Sequence, residues 1–395
     1  MKTFRQIGAV TLMNLRSLPQ RLGTSAVIVI GIAGVVAVLV SVLAMSTGML
    51  KTLTQAGAED RVIVLRNGSA SEMGSNLGRD AVRLIADAPG IKRDAEGRPL
   101  ASVETLRLVN LFKQSDGSEV MVTLRGVGPQ VLAVRPEMKI IEGRMFRPAV
   151  NEIIVGKAAK AQFRNMNLGD QITTRGATWT VVGVFSSDGS SHESELIADA
   201  ETVNGADQRS GFTSVIARLE SPQAFQKFKD ALSSNPALAV DVSRERDYYE
   251  RQSETIGKVI SVVAYVVGGI MAIGAIFGAL NTMYSAVSER LREIATLRAL
   301  GFGATAMVIS VLVEALLLAF IGGAIGAALA WLFFNGHVVG TTAGGVNGHL
   351  IFELTVSAQL ITTGIVWACV IGLIGGLFPA VRAARLPVVE ALRAV

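Results

Sequence analysis

The chain has 395 residues, of which 50% are hydrophobic and 17% are charged, with a net charge of +5 and one cysteine. Soluble globular chains carry about 25% charged residues, so the composition argues against a purely soluble protein and against a disordered one. The single cysteine, Cys369, excludes a disulfide bond within the chain.

Charged residues are absent from three long segments and nearly absent from a fourth, which contains only Glu314. A helix that crosses the ~30 Å hydrocarbon core needs about 20 apolar residues. We therefore predict four transmembrane helices: 22–50, 256–286, 304–334 and 357–380. The apolar core of the first exceeds the ~7–15 residues of a signal-peptide core, which favours an uncleaved anchor over a signal peptide.

The basic residues outside the long middle segment lie before the first helix, between the second and third, and after the fourth. Residues 51–258 hold 27 basic and 27 acidic side chains, so the middle segment is neutral. Because cytoplasmic loops are enriched in Lys and Arg, this pattern places both termini in the cytoplasm. The pI of 9.5 then reflects membrane topology. The neutral middle segment lacks the basic footprint of a nucleic-acid-binding protein, so no nucleic-acid partner is expected.

The segments that flank the spans are predicted in chain order. Residues 1–21 suggest a cytoplasmic amphipathic helix that is stopped at Pro19. Residues 287–303 form a short amphipathic cytoplasmic helix that ends at Gly301. Residues 335–356 are expected to form an extracytoplasmic Gly/Thr-rich loop, and residues 381–395 a cytoplasmic tail.

Residues 51–255 are predicted to form a mixed α+β extracytoplasmic domain. Runs of β-branched and apolar residues between Gly- and Asp-containing turns predict six strands: 61–65, 104–112, 120–124, 152–155, 171–174 and 179–185. Helices are predicted at 78–87, 157–165 and 221–234. Residues 248–253 are expected to continue the second transmembrane helix as a stalk. The fold class is therefore an integral membrane protein of four helices with a large α+β domain inserted between helices 1 and 2.

One polar cluster in this domain could carry chemistry: Asp188, His192, Glu193 and Glu195. It lacks a metal-ligand spacing such as His-Glu-x-x-His, and the Ser and Gly residues between its members favour a mobile, solvated loop. A contact site for a partner or substrate, and a metal site, remain as alternatives. The sequence contains neither a Gly-x-x-x-x-Gly-Lys-Ser/Thr loop nor a nucleophile elbow, so we predict no catalytic, cofactor-binding or metal residue.

Pairs of glycines four residues apart recur in three of the spans. Such spacing lets helix backbones approach closely, which predicts packing against neighbouring helices or a second copy of the chain. The pairs are Gly274 and Gly278, Gly322 and Gly326, and Gly372 and Gly376.

Glu314 is the one ionisable residue within a span, and a charge in lipid costs a few kcal/mol. We expect it to face protein, water or an arginine. A structural hydrogen bond is favoured over a proton or substrate pathway.

Two cytoplasmic segments resemble a known family. Residues 288–301 read Ser-Glu-Arg-Leu-Arg-Glu-Ile-Ala-Thr-Leu-Arg-Ala-Leu-Gly, and residues 379–393 read Pro-Ala-Val-Arg-Ala-Ala-Arg-Leu-Pro-Val-Val-Glu-Ala-Leu-Arg. Both closely resemble the FtsX-like permease domain of ATP-binding-cassette (ABC) systems of the MacB type. Glu314 matches a glutamate in the third helix of that family. The C-terminal residues that carry the resemblance are Pro379, Arg382, Arg385, Pro387 and Arg393.

The resemblance implies a permease in a bacterial inner membrane, bound to two copies of an ATPase. No nucleotide-binding domain precedes the first helix, so we expect the ATPase, with its ATP and Mg²⁺, on a separate chain. A second permease copy or a paralogue, a periplasmic adaptor and an outer-membrane channel are the other implied partners. The expected ATPase-coupling residues are Glu289, Arg290, Arg292, Glu293, Arg298 and Gly301.

Two functional hypotheses follow from the resemblance. The first is a non-catalytic permease that exports or extracts a drug, peptide, lipoprotein or lipid. The alternative is a scaffold that transmits the state of the ATPase to a periplasmic hydrolase or partner without moving a substrate. A membrane enzyme has little support, because no paired catalytic residues occur in the spans.

Overall fold

The computed structural model describes residues 2–17, 22–174, 176–342 and 348–385. In chain order its α-helices are α1 (Lys2–Ser17), α2 (Leu22–Thr54), α3 (Arg79–Ala86), α4 (Val131–Val134), α5 (Lys157–Gln162), α6 (Ala200–Ala206), α7 (Ala224–Ser233), α8 (Glu245–Glu289), α9 (Leu291–Ala299), α10 (Ala304–Phe334) and α11 (Ala358–Arg385).

The strands, in the same order, are β1 (Arg61–Arg66), β2 (Ala101–Phe112), β3 (Glu119–Val127), β4 (Lys139–Gly143), β5 (Glu152–Gly156), β6 (Gln171–Thr174), β7 (Ala177–Ser186), β8 (Leu196–Asp199), β9 (Ser214–Arg218), β10 (Val240–Arg244), β11 (Val338–Thr342) and β12 (His349–Glu353). Two 3₁₀ turns, Glu72–Gly74 and Ser191–Ser194, lie between them.

The chain divides into two units. The membrane unit contains residues 1–47, 258–337 and 354–395, and the inserted domain contains residues 48–257 and 338–353. α2, α8, α10 and α11 are each long and apolar enough to cross a membrane. α8 has 45 residues, far more than the ~20 that one span requires, in agreement with the predicted stalk.

The membrane unit has an apolar core made by α2, α8, α10 and α11, with α1 packed beside α10. Ile32 and Val36 of α2 and Ala319 of α10 are fully buried in it. Asn14 of α1 donates a hydrogen bond to the Ser310 hydroxyl of α10 over 2.7 Å. α11 continues to Arg385 with Pro379 inside it, so the helix does not end at that proline.

Among the described residues of the inserted domain, ten strands form one sheet in the order β10-β1-β9-β2-β3-β8-β5-β7-β4, with β6 paired to β7. The apolar side chains form separate clusters: one under β1 and β9 with Phe228 and Ile85, and another under β3, β5 and β7 with Phe163 and Trp179. β2 and β3 join the two halves through a nine-residue antiparallel ladder from Glu104 to Phe112.

The predicted loop over 335–356 proved wrong in its interior. β11 and β12 pair as a hairpin there and belong to the inserted domain. Ile351 enters the core beneath β3 and β5. Its backbone N–H donates to the Ser194 hydroxyl oxygen over 3.0 Å, and its carbonyl accepts from the same hydroxyl at 3.2 Å. The Gly and Thr residues between positions 340 and 348 favoured a loop, although β11 begins with two valines and β12 contains Leu350, Ile351 and Phe352.

The six strands and three helices predicted in the inserted domain all occur, with ends shifted by a few residues. β4, β8, β9 and β10 were not predicted. β8 and β9 are short and lie in the middle of the sheet, where both faces are buried, so the apolar–polar alternation that identifies a half-exposed strand is missing.

Candidate functional site

The helix between the second and third spans is bounded at both ends by residues with a non-helical backbone conformation. α8 stops at Glu289 and α9 starts at Leu291, with Arg290 between them in a non-helical conformation (φ −100°, ψ 7°). At the other end Gly301 has φ +90°, which glycine adopts with least strain. The N–H of Phe302 donates to the Leu297 carbonyl over 3.1 Å and closes the helix.

Arg290 faces α10 and pairs with Glu314. Nη1 donates to Oε2 over 3.0 Å and Nη2 to Oε1 over 3.3 Å, and each side chain is only 6% exposed. Of the three surroundings expected for Glu314, namely protein, water or an arginine, the structure shows an arginine. Two parallel hydrogen bonds between a guanidinium and a carboxylate hold both partners in a fixed orientation.

A small cavity adjoins this ion pair. It has a volume of about 20 Å³ and is lined by α1, α8, α9 and α10, including Asn14, Arg290 and Glu314. The Nε of Arg290 is buried and has no hydrogen-bond partner among the described residues. The volume is that of about one water molecule, and the site offers that water a donor.

Two further arginines connect helix ends in the same region. Arg298, at the end of α9, donates from Nη1 to the Ala384 carbonyl of α11 over 2.9 Å. Free carbonyls at a helix C-terminus attract cations, so this contact stabilises the end of α11. Arg382 of α11 lies over the Tyr284 ring of α8 at 5.4 Å.

The predicted coupling residues therefore separate into two groups. Glu289, Arg292 and Glu293 are exposed, whereas Arg290 is buried and Arg298 is half-buried. Leu300, which follows the end of α9, is 71% exposed. Of the C-terminal residues, Pro379 is buried inside α11, Arg382 and Arg385 are exposed, and Pro387 and Arg393 lie outside the described residues.

The three glycine pairs differ in what they contact. A Cβ on Gly322 would lie 2.8 Å from the Val29 carbonyl oxygen, and one on Gly326 would lie 3.0 Å from the Ala33 Cα, so α10 packs its glycines on α2. Gly372 and Gly376 of α11 pack in the same way on Ala315 of α10. A Cβ on Gly274 or Gly278 of α8 would meet none of the described residues within 4 Å.

The polar cluster near residue 190 is not a solvated loop, and that prediction was wrong. His192, Glu193 and Glu195 are buried, and only Asp188 is exposed. Glu193 accepts the N–H groups of Ser187 and Gly189 and so ties the turn to itself. Glu195 points inward because it accepts hydrogen bonds from an arginine of β3, 70 residues away along the chain.

That arginine, Arg125, is the centre of a buried ionic network. It donates to both oxygens of Glu195 over 2.7 and 2.9 Å, to Glu72 over 2.9 Å and to Glu104 over 2.7 Å. His192 Nδ1 lies 3.2 Å from Glu195. Burial alone would raise the pKa of Glu195, but the Arg125 guanidinium outweighs burial and holds that pKa well below its ordinary value.

The network continues from Glu104 to the first residue of α8. Arg135 binds Glu104 on one side and Glu245 on the other, the second contact being 2.9 Å long. Arg61, the first residue of β1, donates to Glu245 over 2.5 Å and to Glu137 over 2.8 Å. Burial raises the pKa of Glu104, yet Arg135 and Arg125 together bring it below its ordinary value. Glu104 and Glu195 are therefore ionised at neutral pH. The network links β1, β2, β3 and the start of α8.

Sequence reasoning missed this network, although one signal was present. β2 and β3 carry Glu104, Arg107 and Arg125 within runs of apolar residues, at positions that the strand pattern places inside the domain. Charged residues are almost never fully buried unless they are paired. Two such strands therefore indicate buried ion pairs.

Two family models match the chain. The MacB-like periplasmic core domain matches residues 23–235 and the FtsX-like permease C-terminal region matches residues 265–388. The chain belongs to the MacB/FtsX-like family of ABC transporter permeases. The predicted fold class is thereby confirmed, with the mixed sheet domain between the first two of four membrane helices. A permease of this family is a transport subunit that works with an ATPase.

This permease is 26% identical over 415 residues to the uncharacterized ABC transporter permease YknZ of Bacillus subtilis (strain 168). The alignment covers 98% of this chain and 97% of YknZ. This permease is also 28% identical over 405 residues to the macrolide export ATP-binding/permease protein MacB of Shewanella sp. (strain ANA-3), covering 89% of this chain and 59% of MacB. The permease thus spans about three fifths of the length of that MacB relative.

Among solved structures, the extracellular domain of YknZ from Gram-positive bacteria aligns with 14% identity and a TM-score of 0.36, covering 46% of this chain and 99% of that domain. The periplasmic region of MacB from Actinobacillus actinomycetemcomitans aligns with 19% identity and a TM-score of 0.37, covering 49% of this chain and 92% of that region.

Proposed function

We propose that this permease uses ATP hydrolysis by a separate ABC ATPase to export or extract a drug, peptide, lipoprotein or lipid across a bacterial envelope. It lies in the inner membrane with both termini in the cytoplasm. The ATPase, not this chain, binds ATP and Mg²⁺. The observation that carries the proposal is the exposed face of α9, a short helix whose two ends are anchored to α10 and α11.

The exposed face of α9 has the composition of a protein-binding surface. Glu289, Arg292 and Glu293 are exposed at or just before the start of α9, and the exposed Leu300 follows its end. Exposed charged residues together with an exposed large apolar side chain are typical of protein interfaces. Because Arg292 and Glu293 are adjacent and of opposite sign, this surface fits a partner that presents both charges.

A second permease copy, or a paralogue, is proposed to pack against α8. Far less of this span is buried than of the other three. Gly274 and Gly278 lie on its open face, and Asn281 and Ser285 are exposed there as well. Helical spacing puts these four residues on one side. Small and polar residues on one face favour helix association in a bilayer.

The docking test uses the double charge reversal Arg292→Glu with Glu293→Arg in the tagged full-length chain. We expect wild type to retain an ABC ATPase on purification and the variant to lose most of it, while remaining inserted and monodisperse. The matched control is Arg385→Glu, an exposed arginine at the end of α11. Equal retention by wild type and the variant would contradict docking at α9.

Substrate movement distinguishes the two functional hypotheses. The complex, reconstituted in vesicles with ATP, should move a labelled drug, peptide or lipid, with a periplasmic adaptor and an outer-membrane channel as proposed later carriers. ATP hydrolysis that moves none of these, but activates a periplasmic hydrolase, would instead favour a regulatory scaffold.

A further inference from the structure

Arg290 and Glu314 are placed differently from the docking residues around them. The exposed neighbours of Arg290, Glu289 and Arg292, point away from the bundle, while Arg290 turns inward and reaches α10. It does so at the one non-helical residue between α8 and α9. A side chain buried in this way is not available to a cytoplasmic partner.

We infer that the Arg290–Glu314 pair passes the movement of α9 to α10, and that Arg290 is a positioning residue for ATP-driven activity and not a docking residue. This rests on the proposed function, because it assumes that an ATPase moves α9. The inference separates two tasks within residues 289–293. The exposed side chains receive the ATPase, and the buried one connects the receiving helix to a membrane span.

The geometry supports a directed connection. The two hydrogen bonds fix both the distance and the orientation between the start of α9 and α10. Apolar contacts such as that of Ile294 also join α9 to the membrane core, but apolar surfaces can slide past each other without losing much contact. A paired guanidinium and carboxylate in a site with little water cannot slide without leaving buried charge unpaired.

α10 is joined along the chain to the inserted domain. α10 ends at Phe334, and β11 of the inserted domain starts at Val338. Three residues of the chain, 335–337, connect α10 to β11. The other anchor of α9, Arg298 on the Ala384 carbonyl, leads to the end of α11, so the two anchors serve different helices.

The small cavity beside the pair is consistent with a joint. Its volume of about 20 Å³ and the unpartnered Nε of Arg290 leave room for adjustment on the side facing α1 and α8. The opposite side of the guanidinium is held by Glu314. Arg290 can therefore tilt with α9 while it remains hydrogen-bonded to Glu314 of α10.

The test compares Arg290→Gln, Glu314→Gln and the charge swap Arg290→Glu with Glu314→Arg in the full chain purified with its ATPase. Two quantities are measured: the amount of ATPase retained, and the ATP hydrolysis rate per retained ATPase relative to the isolated ATPase. We expect both single variants to retain an amount of ATPase within twofold of wild type. Their stimulation of ATP hydrolysis should be at least tenfold lower than that of wild type. The swap should recover at least half of the wild-type stimulation, because it restores the ion pair with its charges exchanged; retention of the ATPase by monodisperse single variants is what separates transmission from a structural loss. The control, Arg385→Gln, should match wild type.

Three results would overturn the inference: single variants that keep stimulation within twofold of wild type, single variants that lose the ATPase as completely as the docking variant, or a swap that recovers nothing. If the single variants are not monodisperse, Arg290→Met with Glu314→Leu removes both charges and leaves none unpaired. The same loss of stimulation is expected from it, and normal stimulation would refute the role of the pair. A wild-type chain that retains no ATPase would instead refute the proposed function.

Discussion

The membrane unit and the inserted domain keep their shapes by opposite means. The membrane unit relies on close backbone approach: Gly322, Gly326, Gly372 and Gly376 lie directly against neighbouring helices, and Arg290–Glu314 is a rare buried ion pair. The inserted domain contains a network of buried ion pairs that runs from Glu195 to Glu245. Its apolar side chains form several separate clusters.

The difference teaches which changes each unit should tolerate. In lipid there is no hydrophobic drive between helices, so packing depends on shape. In the inserted domain the buried carboxylates of Glu72, Glu104, Glu195 and Glu245 each pair with a guanidinium, so stability depends on charge. Charge changes should therefore affect the inserted domain most, and size changes should affect the membrane unit.

The largest effect is expected from Arg125→Met. The substitution leaves Glu72, Glu104 and Glu195 buried without their shared partner, and such a loss costs about 3–5 kcal/mol. The measurement is urea unfolding followed by Trp179 fluorescence, with Trp331 and Trp367 replaced by Phe. Trp179 is buried in the inserted domain and reports on it alone.

The control for this prediction is Arg79→Met. Arg79 pairs with Glu201 at the surface, where both side chains are 52% exposed, and exposed pairs contribute about 0–1 kcal/mol. If both substitutions lowered the free energy of unfolding equally, the network of buried ion pairs would not be what stabilises the inserted domain.

The second effect is a pH dependence at His349 of β12. Burial, with a smaller effect of Lys113, lowers the pKa of His349 to about 4 from an ordinary 6.5. The folded protein holds the imidazole neutral, while the unfolded chain takes up a proton below pH 6.5. Stability is therefore full above pH 6.5 and falls as the pH drops toward 4, by about 1–2 kcal/mol once screening by solvent is allowed for.

Comparison of His349→Gln with the parent chain at pH 7 and pH 4.5 measures this effect. The variant should lose less unfolding free energy between the two pH values than the parent does. His337→Gln, at an exposed position, should behave like the parent. An unchanged pH dependence in His349→Gln would show that the hairpin does not sense pH through this residue.

The smallest effect contrasts two glycines of the same motif. Gly326→Ala places a methyl group 3.0 Å from the Ala33 Cα and from Val36, and overpacking of this kind costs about 1–3 kcal/mol. Gly278→Ala meets none of the described residues and should leave the single chain as stable or slightly more stable. Thermal unfolding in detergent, followed by Trp331 and Trp367, separates the two. Equal shifts would remove the distinction between packed and open glycines.

Much of the architecture follows from the sequence because long apolar blocks and short alternating strands are local patterns. The four helices and six of the strands were predicted on that basis. The contacts that define the sites are not local. Arg125 and Glu195 are 70 residues apart in the chain, and Arg290 and Glu314 are 24 apart. A single sequence does not show which arginine pairs with which glutamate.

The turn at residues 191–194 and the placement of Arg290 both depend on residues that are distant in sequence. The Ser-His-Glu-Ser turn reads as solvated because its residues are polar, yet its buried partners lie on β3 and β12. Arg290 was grouped with the exposed residues of α9 because it lies between them in the motif. In both cases a residue's own character was predicted, and its neighbours in space decided its role.

The β11–β12 hairpin also sets an order of events during synthesis. Ile351 fills a place in the core of the inserted domain, but it is made only after α8, α9 and α10 have been synthesised. At ~5–20 residues per second, the delay between residues 257 and 353 is on the order of ten seconds. During that time residues 48–257 have an incomplete core, so a chaperone that shields this surface would act in a defined interval. A chain truncated after α10 would never complete the inserted domain, even though most of that domain's residues would be present.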